Sequence, residues 1–391
     1  MKARDPVYTV MVKSLKKVFF DKRTFIGALA FMFVLRVAYA LTRDLFASGP
    51  DAPNYAVSPL DFAKYGFWSP DITGGAYYPQ GYPFTLWPAA EIGGTHWVAL
   101  ASVFQIALSI LTVFLVYKIG LLFLTKGMSL AVSYIFLFSP AFTPMSGQAM
   151  YEPVFMFFLF FYLYIVLRMH VTSYKYSGLI AAGLIGGFTC AIHPRALPWI
   201  AIIQVILFSK MGIQRAMTFF VSFFIPVGLF LLRNKIAEDT WSLSSATNVV
   251  MNWLQSKNLG QILIDGFWYG VHFWSPYSGD AKRGTWFHNF TSYHEMKKLA
   301  QSSAPVYIFA TIFAVISIMA WLYGSKLLIN TKPVLGLIVI AIPMLNFVTD
   351  IFTIGDSRHR LVVVPLLLIG QATFFRWLYE RYIHKNRSWR P

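Results

Sequence analysis

Ten long apolar runs constrain this chain more than any other feature of its sequence. A helix must present about 20 apolar residues to cross the hydrocarbon core of a bilayer. Because lipid offers peptide groups no hydrogen-bond partner, such runs must be helical. The runs are 24–42, 96–117, 119–138, 150–169, 176–192, 195–209, 214–233, 304–323, 333–351 and 360–380. The sequence therefore predicts an all-α polytopic membrane protein with about ten transmembrane helices.

Composition excludes several other classes. Hydrophobic residues make up 57% of the chain and charged residues only 13%, whereas soluble domains are about 25% charged. A net charge of +17 would suggest a nucleic-acid partner for a soluble protein, but here it fits the Lys/Arg excess of cytoplasmic loops. We therefore predict a bilayer environment and no nucleic acid. The single Cys190 excludes intramolecular disulfides and thiolate metal clusters.

Charge also predicts the orientation in a cytoplasmic membrane. With the N-terminus inside, every inner connection is basic, as the positive-inside rule requires. Those connections and the tail carry Lys118, Lys126, Arg168, Lys175, Lys210, Arg215, Lys326, Lys332, Arg381, Lys385, Arg387 and Arg390. An even number of spans returns the C-terminus to the cytoplasm, so we expect the active face to be extracytoplasmic.

The chain is predicted to have three parts. Residues 1–23 combine lysines with helically spaced apolar residues, which is typical of an amphipathic helix on the inner leaflet. The transmembrane domain is 24–380, and 381–391 is a basic cytoplasmic tail. Two outer loops, 43–95 and 234–303, are far longer than the 12–15 residues above which connections usually carry function.

Three acidic residues of the outer face are candidate site residues. Asp51 follows the first span, and Asp61 competes with it for the role of general base, since a partly desolvated carboxylate is a better base. Glu152 opens the fourth span, where it suits a helix start. It is also near the hydrocarbon boundary, where charges are usually kept for function.

Two basic motifs lie at predicted helix starts on the outer face. The motif 193–195 contains His193 and Arg195, and the motif 355–360 ends in Arg358-His359-Arg360. The helix dipole disfavours cations at a helix N-terminus. Consecutive cations there make more sense if an anion such as phosphate shares the site, because guanidinium groups and helix N–H groups both bind it.

Taken in order, these features resemble the C-type (GT-C) glycosyltransferases, especially relatives of the dolichyl-phosphate-mannose protein mannosyltransferases. The matching elements cover most of residues 24–380. They are Asp51 followed by Tyr55, the stretch Pro79-Gln80-Gly81-Tyr82-Pro83, Pro140 followed by Glu152, a Gly-rich span ending near Arg195, and a Gly-x-x-Arg-x-Arg motif before the last span.

The resemblance implies a GT-C-like fold and an inverting transfer of one sugar, mannose-like or pentose-like, from a polyprenyl-phosphate donor to an acceptor hydroxyl. The acceptor would be a glycolipid, a glycan or a protein. Asp51 would be the general base, while Arg358, Arg360 and the intervening His359 would bind the donor phosphate. Glu152, His193, Arg195, Tyr55 and Tyr82 would shape the donor and acceptor pocket.

Some alternatives stay open. No cofactor is predicted, although some relatives use a divalent ion, for which Glu91, His272 or His288 could serve. A flippase for lipid-linked sugars would share the phosphate-binding arginines but would not need Asp51. Another membrane transporter would place charges at the bilayer midplane, where Arg36 is the one candidate found in the sequence. A ligase would transfer a whole oligosaccharide.

Overall fold

The computed structural model describes residues 21–48, 55–139, 142–244, 304–352 and 361–382, with the single positions 258 and 260. Every regular element within these ranges is a helix. The helices are α1 Lys22–Thr42, α2 Ser58–Tyr65, α3 Gly81–Gly93, α4 Trp97–Phe123, α5 Lys126–Leu137, α6 Phe142–Met145, α7 Glu152–Val171, α8 Tyr176–Ile192, α9 Ala196–Met211, α10 Ile213–Glu238, α11 Ala304–Thr331, α12 Pro333–Phe352 and α13 Val364–Tyr382. Short 3-10 turns cover Leu45–Ser48, Gly75–Tyr77 and Gly94–His96. The predicted all-α class is therefore confirmed for the described part of the chain.

Within these ranges, five segments are long and apolar enough to cross a membrane. They are Lys22–Thr42, Gly81–Phe123, Glu152–Val171, Ile213–Glu238 and Ile312–Thr331. The other predicted spans also coincide with helices, several of them shorter. The architecture is that of a multi-pass membrane protein, and the count of ten spans stays a prediction. Residues 1–20, 383–391 and most of the second outer loop lie outside the described residues.

One predicted turn is wrong. The predicted second span ends at 117 and the third begins at 119, with a tight turn between them. In the structure α4 continues to Phe123, and the side chain of Thr125 caps α5 by accepting the N–H of Met128. Lys118 stays within the helix, with its Nζ 5.9 Å from the ring centroid of Phe114. A lysine can extend its charge along the helix surface, so it does not have to end the helix.

Residues 43–95, predicted to be the first loop, contain helices of their own. The short helix α2 starts with Pro59 near its N-terminus, a position that suits proline because no helical N–H is lost there. The helix α3 precedes α4, and the two are separated at Gly94, which has a positive φ of 50°. Since L-residues with side chains rarely adopt that conformation, glycine permits the change of direction.

Helices α8 and α10 pack through their backbones. A Cβ atom added to Gly183 would lie 2.6 Å from the carbonyl oxygen of Phe219, and one added to Gly187 would lie 2.1 Å from that of Phe223. Both distances are far too short for a side chain. Small residues in membrane helices allow this close approach, and the association then depends on backbone packing.

Arg36 is buried among α1, α4 and α5, with only 1% of its surface exposed. Its guanidinium donates to Ser109 Oγ at 3.0 Å and to the carbonyl oxygen of Leu137 at 2.7 Å. The ring of Phe142 lies 4.9 Å from the guanidinium carbon. Leu137 ends α5, where helix carbonyls lack intrahelical partners. Arg36 therefore joins three helices.

Candidate functional site

Four tyrosines from three separated segments form a tyrosine cluster, defined here as Tyr55, Tyr78, Tyr82 and Tyr151. Tyr55 lies at its centre, with ring centroids 5.0 Å from Tyr78, 4.9 Å from Tyr82 and 6.4 Å from Tyr151. All three pairs are edge-to-face, an arrangement that aligns ring edges with ring faces. The cluster brings the predicted residues Tyr55 and Tyr82 into direct contact.

Glu152 lies beside this cluster, where its charge interacts with Tyr82. It is the first residue of α7 and has no exposed surface. A carboxylate in a first helical turn interacts favourably with the helix dipole, but removing it from water is costly. The family resemblance implies a donor-pocket role for Glu152, and the structure places it next to Tyr151 of the cluster.

His193 reaches the same place from the end of α8. Its ring stacks on Tyr151 with centroids 4.3 Å apart and lies 6.0 Å from the ring of Phe155. Its Nδ1 accepts the backbone N–H of Arg195 at 3.2 Å, so in the neutral ring Nε2 carries the hydrogen and is a hydrogen-bond donor. Arg195 is half-buried and precedes α9.

Gly81 allows the tyrosine cluster to approach His193. A Cβ atom added to Gly81 would lie 2.4 Å from the carbonyl carbon of Ala191 and 2.5 Å from the nitrogen of Ile192. Both atoms are backbone atoms near the end of α8, so neither can move aside alone. Glycine therefore permits the close approach of the start of α3, which carries Tyr82, to the end of α8, which His193 follows.

We expect the Gly81→Ala substitution to lower the free energy of unfolding by about 1–3 kcal/mol, because overpacking forces backbone shifts. Thermal unfolding in one detergent would measure the effect. The control is Gly228→Ala in α10, where an added Cβ meets nothing within 4 Å. Because alanine is the better helix former, this control should be neutral or stabilising. Equal stability of the two variants would contradict the close approach described here.

Asp61 has a different position from the cluster. It lies in the first turn of α2, and its carboxylate accepts the backbone N–H of Thr73 at 2.8 Å. This hydrogen bond joins two parts of the first loop. A structural role in the loop explains this carboxylate, while the predicted role as a competing base stays a prediction.

A buried arginine joins the two outer loops. Arg233, at the end of α10, has no exposed surface and donates to the carbonyl oxygens of Phe67 and Ser69, both at 3.2 Å. It also forms a 2.9 Å ion pair with Glu238. In addition, Ser244 Oγ donates to the carbonyl oxygen of Tyr77 at 2.7 Å. The first loop and residues 234–244 therefore lie at the same end of the helices as the tyrosine cluster.

Other predicted site residues are not described. Asp51, Arg358, His359 and Arg360 all lie outside the described residues, as do His272 and His288. Glu91 accepts a hydrogen bond from the indole nitrogen of Trp87 at 3.1 Å. Across the described ranges, no group of three or more His, Cys, Asp or Glu side chains is positioned to hold a metal ion.

The sequence analysis missed two contributors to the site. Tyr151 links Tyr55 to His193, but one tyrosine among 21 carries little signal. Gln105, in α4, accepts the hydroxyl hydrogen of Tyr82 at 2.8 Å. Its signal was present: Ser102, Gln105 and Ser109 repeat at helical spacing within an apolar run.

A cavity of about 230 Å³ lies next to this region. Its polar lining residues include Asp44, His96 and Ser102, and Ala40 lies on its apolar side. The hydroxyl of Ser102 also lies 3.5 Å from the carbonyl oxygen of Gly147. One lining residue of the cavity therefore contacts the segment 146–148.

Neither a scan against protein-family models nor a search of curated proteins finds a match for this chain.

Proposed function

We propose that this chain is a membrane glycosyltransferase. It moves a single sugar, mannose-like or pentose-like, from a polyprenyl-phosphate donor to an acceptor hydroxyl on the outer face of the membrane, with inversion. The observation that carries the proposal is the convergence of Tyr55, Tyr82, Tyr151, Glu152 and His193 from four separated parts of the chain.

This group of side chains suits a sugar. Aromatic rings provide apolar faces against which a sugar ring can pack, while a buried carboxylate and an imidazole hydrogen-bond to hydroxyl groups. Glu152 and Tyr82 have no exposed surface, so the proposal requires the cluster to open for the sugar; hydrogen bonds to these groups would then form away from water and be strengthened. The group thereby combines apolar contact with polar recognition.

Described neighbours of the catalytic candidates support the proposed roles. Asp51 precedes Tyr55, the central member of the tyrosine cluster, by four residues. Arg360 is bonded to Leu361, which packs in one apolar cluster with Met145 and Met150. Met150 is two residues before Glu152. In the proposal Asp51 deprotonates the acceptor, and Arg358 and Arg360 neutralise the departing phosphate.

Transport is the main alternative, and the surroundings of Arg36 do not favour it. A substrate pathway needs an ionisable group that faces a cavity. Arg36 instead packs against protein and bonds to Ser109 and Leu137. Since these contacts hold three helices together, the charge of Arg36 gives no support to a transport pathway.

The test incubates the purified protein in lipid nanodiscs with polyprenyl-phosphate sugars and with lipid or protein acceptors. We expect transfer, and we expect Asp51→Asn to reduce it by about 100-fold or more, as for the loss of a general base. Asp61→Asn should retain activity, because asparagine can still accept the N–H of Thr73. The exposed Asp71, which contacts Ser69, provides the matched control Asp71→Asn.

Two outcomes would overturn the proposal. The first is an Asp51→Asn variant that keeps full activity. The second is an absence of transfer with every donor, combined with movement of the lipid-linked sugar across liposome bilayers, which would identify a flippase.

A further inference from the structure

Gln105 is a polar side chain buried within an apolar helix. It lies eight residues beyond the start of α4 and has no exposed surface. At 1.5 Å per residue, this places it about 12 Å along the helix from its N-terminus. An amide buried at such a depth is costly unless its hydrogen bonds are satisfied.

The amide of Gln105 connects two separate parts of the site. Its Oε1 accepts the hydroxyl hydrogen of Tyr82 at 2.8 Å, and its Nε2 donates to the carbonyl oxygen of Ser146 at 3.1 Å and to that of Gln148. A primary amide is the neutral side-chain group that offers an acceptor and two donors at once. One side chain therefore fixes a tyrosine of the cluster relative to the segment 146–148.

That segment needs an external partner. Residues 146–150 lie between α6 and α7 and are not helical, so the carbonyl oxygens of Ser146 and Gln148 do not belong to a helical hydrogen-bond ladder. Besides Gln105, the N–H of Ala149 holds the segment by donating to the carbonyl oxygen of Phe46 at 3.0 Å. The segment leads directly into Tyr151 and Glu152, which are two members of the proposed sugar pocket. Its position therefore sets the positions of both side chains.

We propose that Gln105 is a positioning residue, which holds the segment 146–151 so that Tyr151 and Glu152 face Tyr82 and His193. The consequence for catalysis rests on the proposed function. The consequence for the position of the segment does not depend on the proposed function, because that consequence follows from the hydrogen bonds of Gln105.

Cysteine cross-linking can measure the position of the segment without any substrate. A Cβ atom added to Gly147 would lie 2.9 Å from the Cβ of Ala40, whereas disulfides join Cβ atoms about 3.5–4.5 Å apart. A small outward shift of the segment therefore suits the pair Ala40→Cys and Gly147→Cys. The buried Cys190 would be replaced by alanine in this background.

We expect Gln105→Met to speed the formation of this disulfide by about fivefold or more, because the segment loses both amide donors and can make the outward shift more easily. The matched control is Thr112→Val, which removes a buried hydroxyl from the same helix. That hydroxyl bonds to its own helix at Leu108, so this control should cross-link within about twofold of the parent. If Gln105→Met does not yield monodisperse protein, Gln105→Glu replaces it, since glutamate has the same shape and loses the donors.

Cross-linking of the Gln105 variant at the parent rate would overturn the inference. An activity measurement then separates it from the proposed function. If the parent protein transfers sugar, Gln105→Glu should lower kcat by about tenfold or more with a smaller change in KM, since misplaced groups act mainly on the reacting geometry. If the parent transfers no sugar, the proposed function fails while the cross-linking result still decides the role of Gln105.

Discussion

Replacing Glu152 with glutamine is expected to lower sugar transfer by about 100- to 1000-fold, the usual cost of losing one preorganised electrostatic group. The same change should leave the melting temperature unchanged or raise it. Glutamine preserves the shape of a side chain that has no exposed surface, and it removes the cost of burying a charge. Transfer rates and thermal unfolding would be measured on the same preparation.

The combination of the two readouts makes this prediction specific. A carboxylate that served only to start α7 would give the opposite pattern, with nearly normal transfer and lower stability, because the helix dipole would lose its favourable charge. Glu91→Gln is the matched control, since its glutamine can still accept the hydrogen bond from Trp87. A Glu152→Gln variant with transfer within twofold of the parent would remove Glu152 from the proposed site.

At Arg36, lysine is expected to be a worse replacement than methionine. Lysine keeps a charge in a site that is 1% exposed, yet its single ammonium group cannot reproduce the fork that reaches both Ser109 and Leu137. We expect Arg36→Lys to lower the free energy of unfolding by about 3–5 kcal/mol, the range for a buried charge that loses its partners. Arg36→Met should lower it by about 1–3 kcal/mol, since only hydrogen bonds are lost.

Denaturant titration in one detergent would measure these free energies. The control is Arg168→Lys, because Arg168 is exposed and contacts the hydroxyl of Tyr164 at 3.3 Å. Its effect should stay within about 0.5 kcal/mol. If Arg36→Lys proved as stable as Arg36→Met, the charge of Arg36 would have to interact with a further partner. Its contacts with Ser109 and Leu137 would then not explain its burial.

The helices were predictable because an apolar run inside a bilayer can adopt few structures other than a helix. Each predicted run coincides with a helix, and every start except that of the third run lies within four residues of a helix start. The exception is the tight turn predicted at Lys118, which the structure places after Phe123. Local sequence does not show whether a lysine leaves the helix surface or extends along it, and the difference shifted the boundary.

The candidate site was predictable in its residue types and less so in its connections. Polar residues at helix ends pointed to Glu152 and His193, because such residues are costly at the membrane boundary. The stacking of Tyr151 on His193 depends on how α7 and α8 pack, which no local pattern specifies. Gln105 was missed for a related reason, since a single amide in an apolar run does not reveal its partners.

The backbone contact between α8 and α10 limits how this molecule can move. At Gly183 and Gly187 the backbones of the two helices are in direct contact. The helices therefore cannot slide or roll against each other by rearranging side chains between them. His193 follows one helix of this pair, and Arg233, which holds the first loop, belongs to the other. A displacement of the His193 imidazole should therefore be accompanied by a displacement of the first loop.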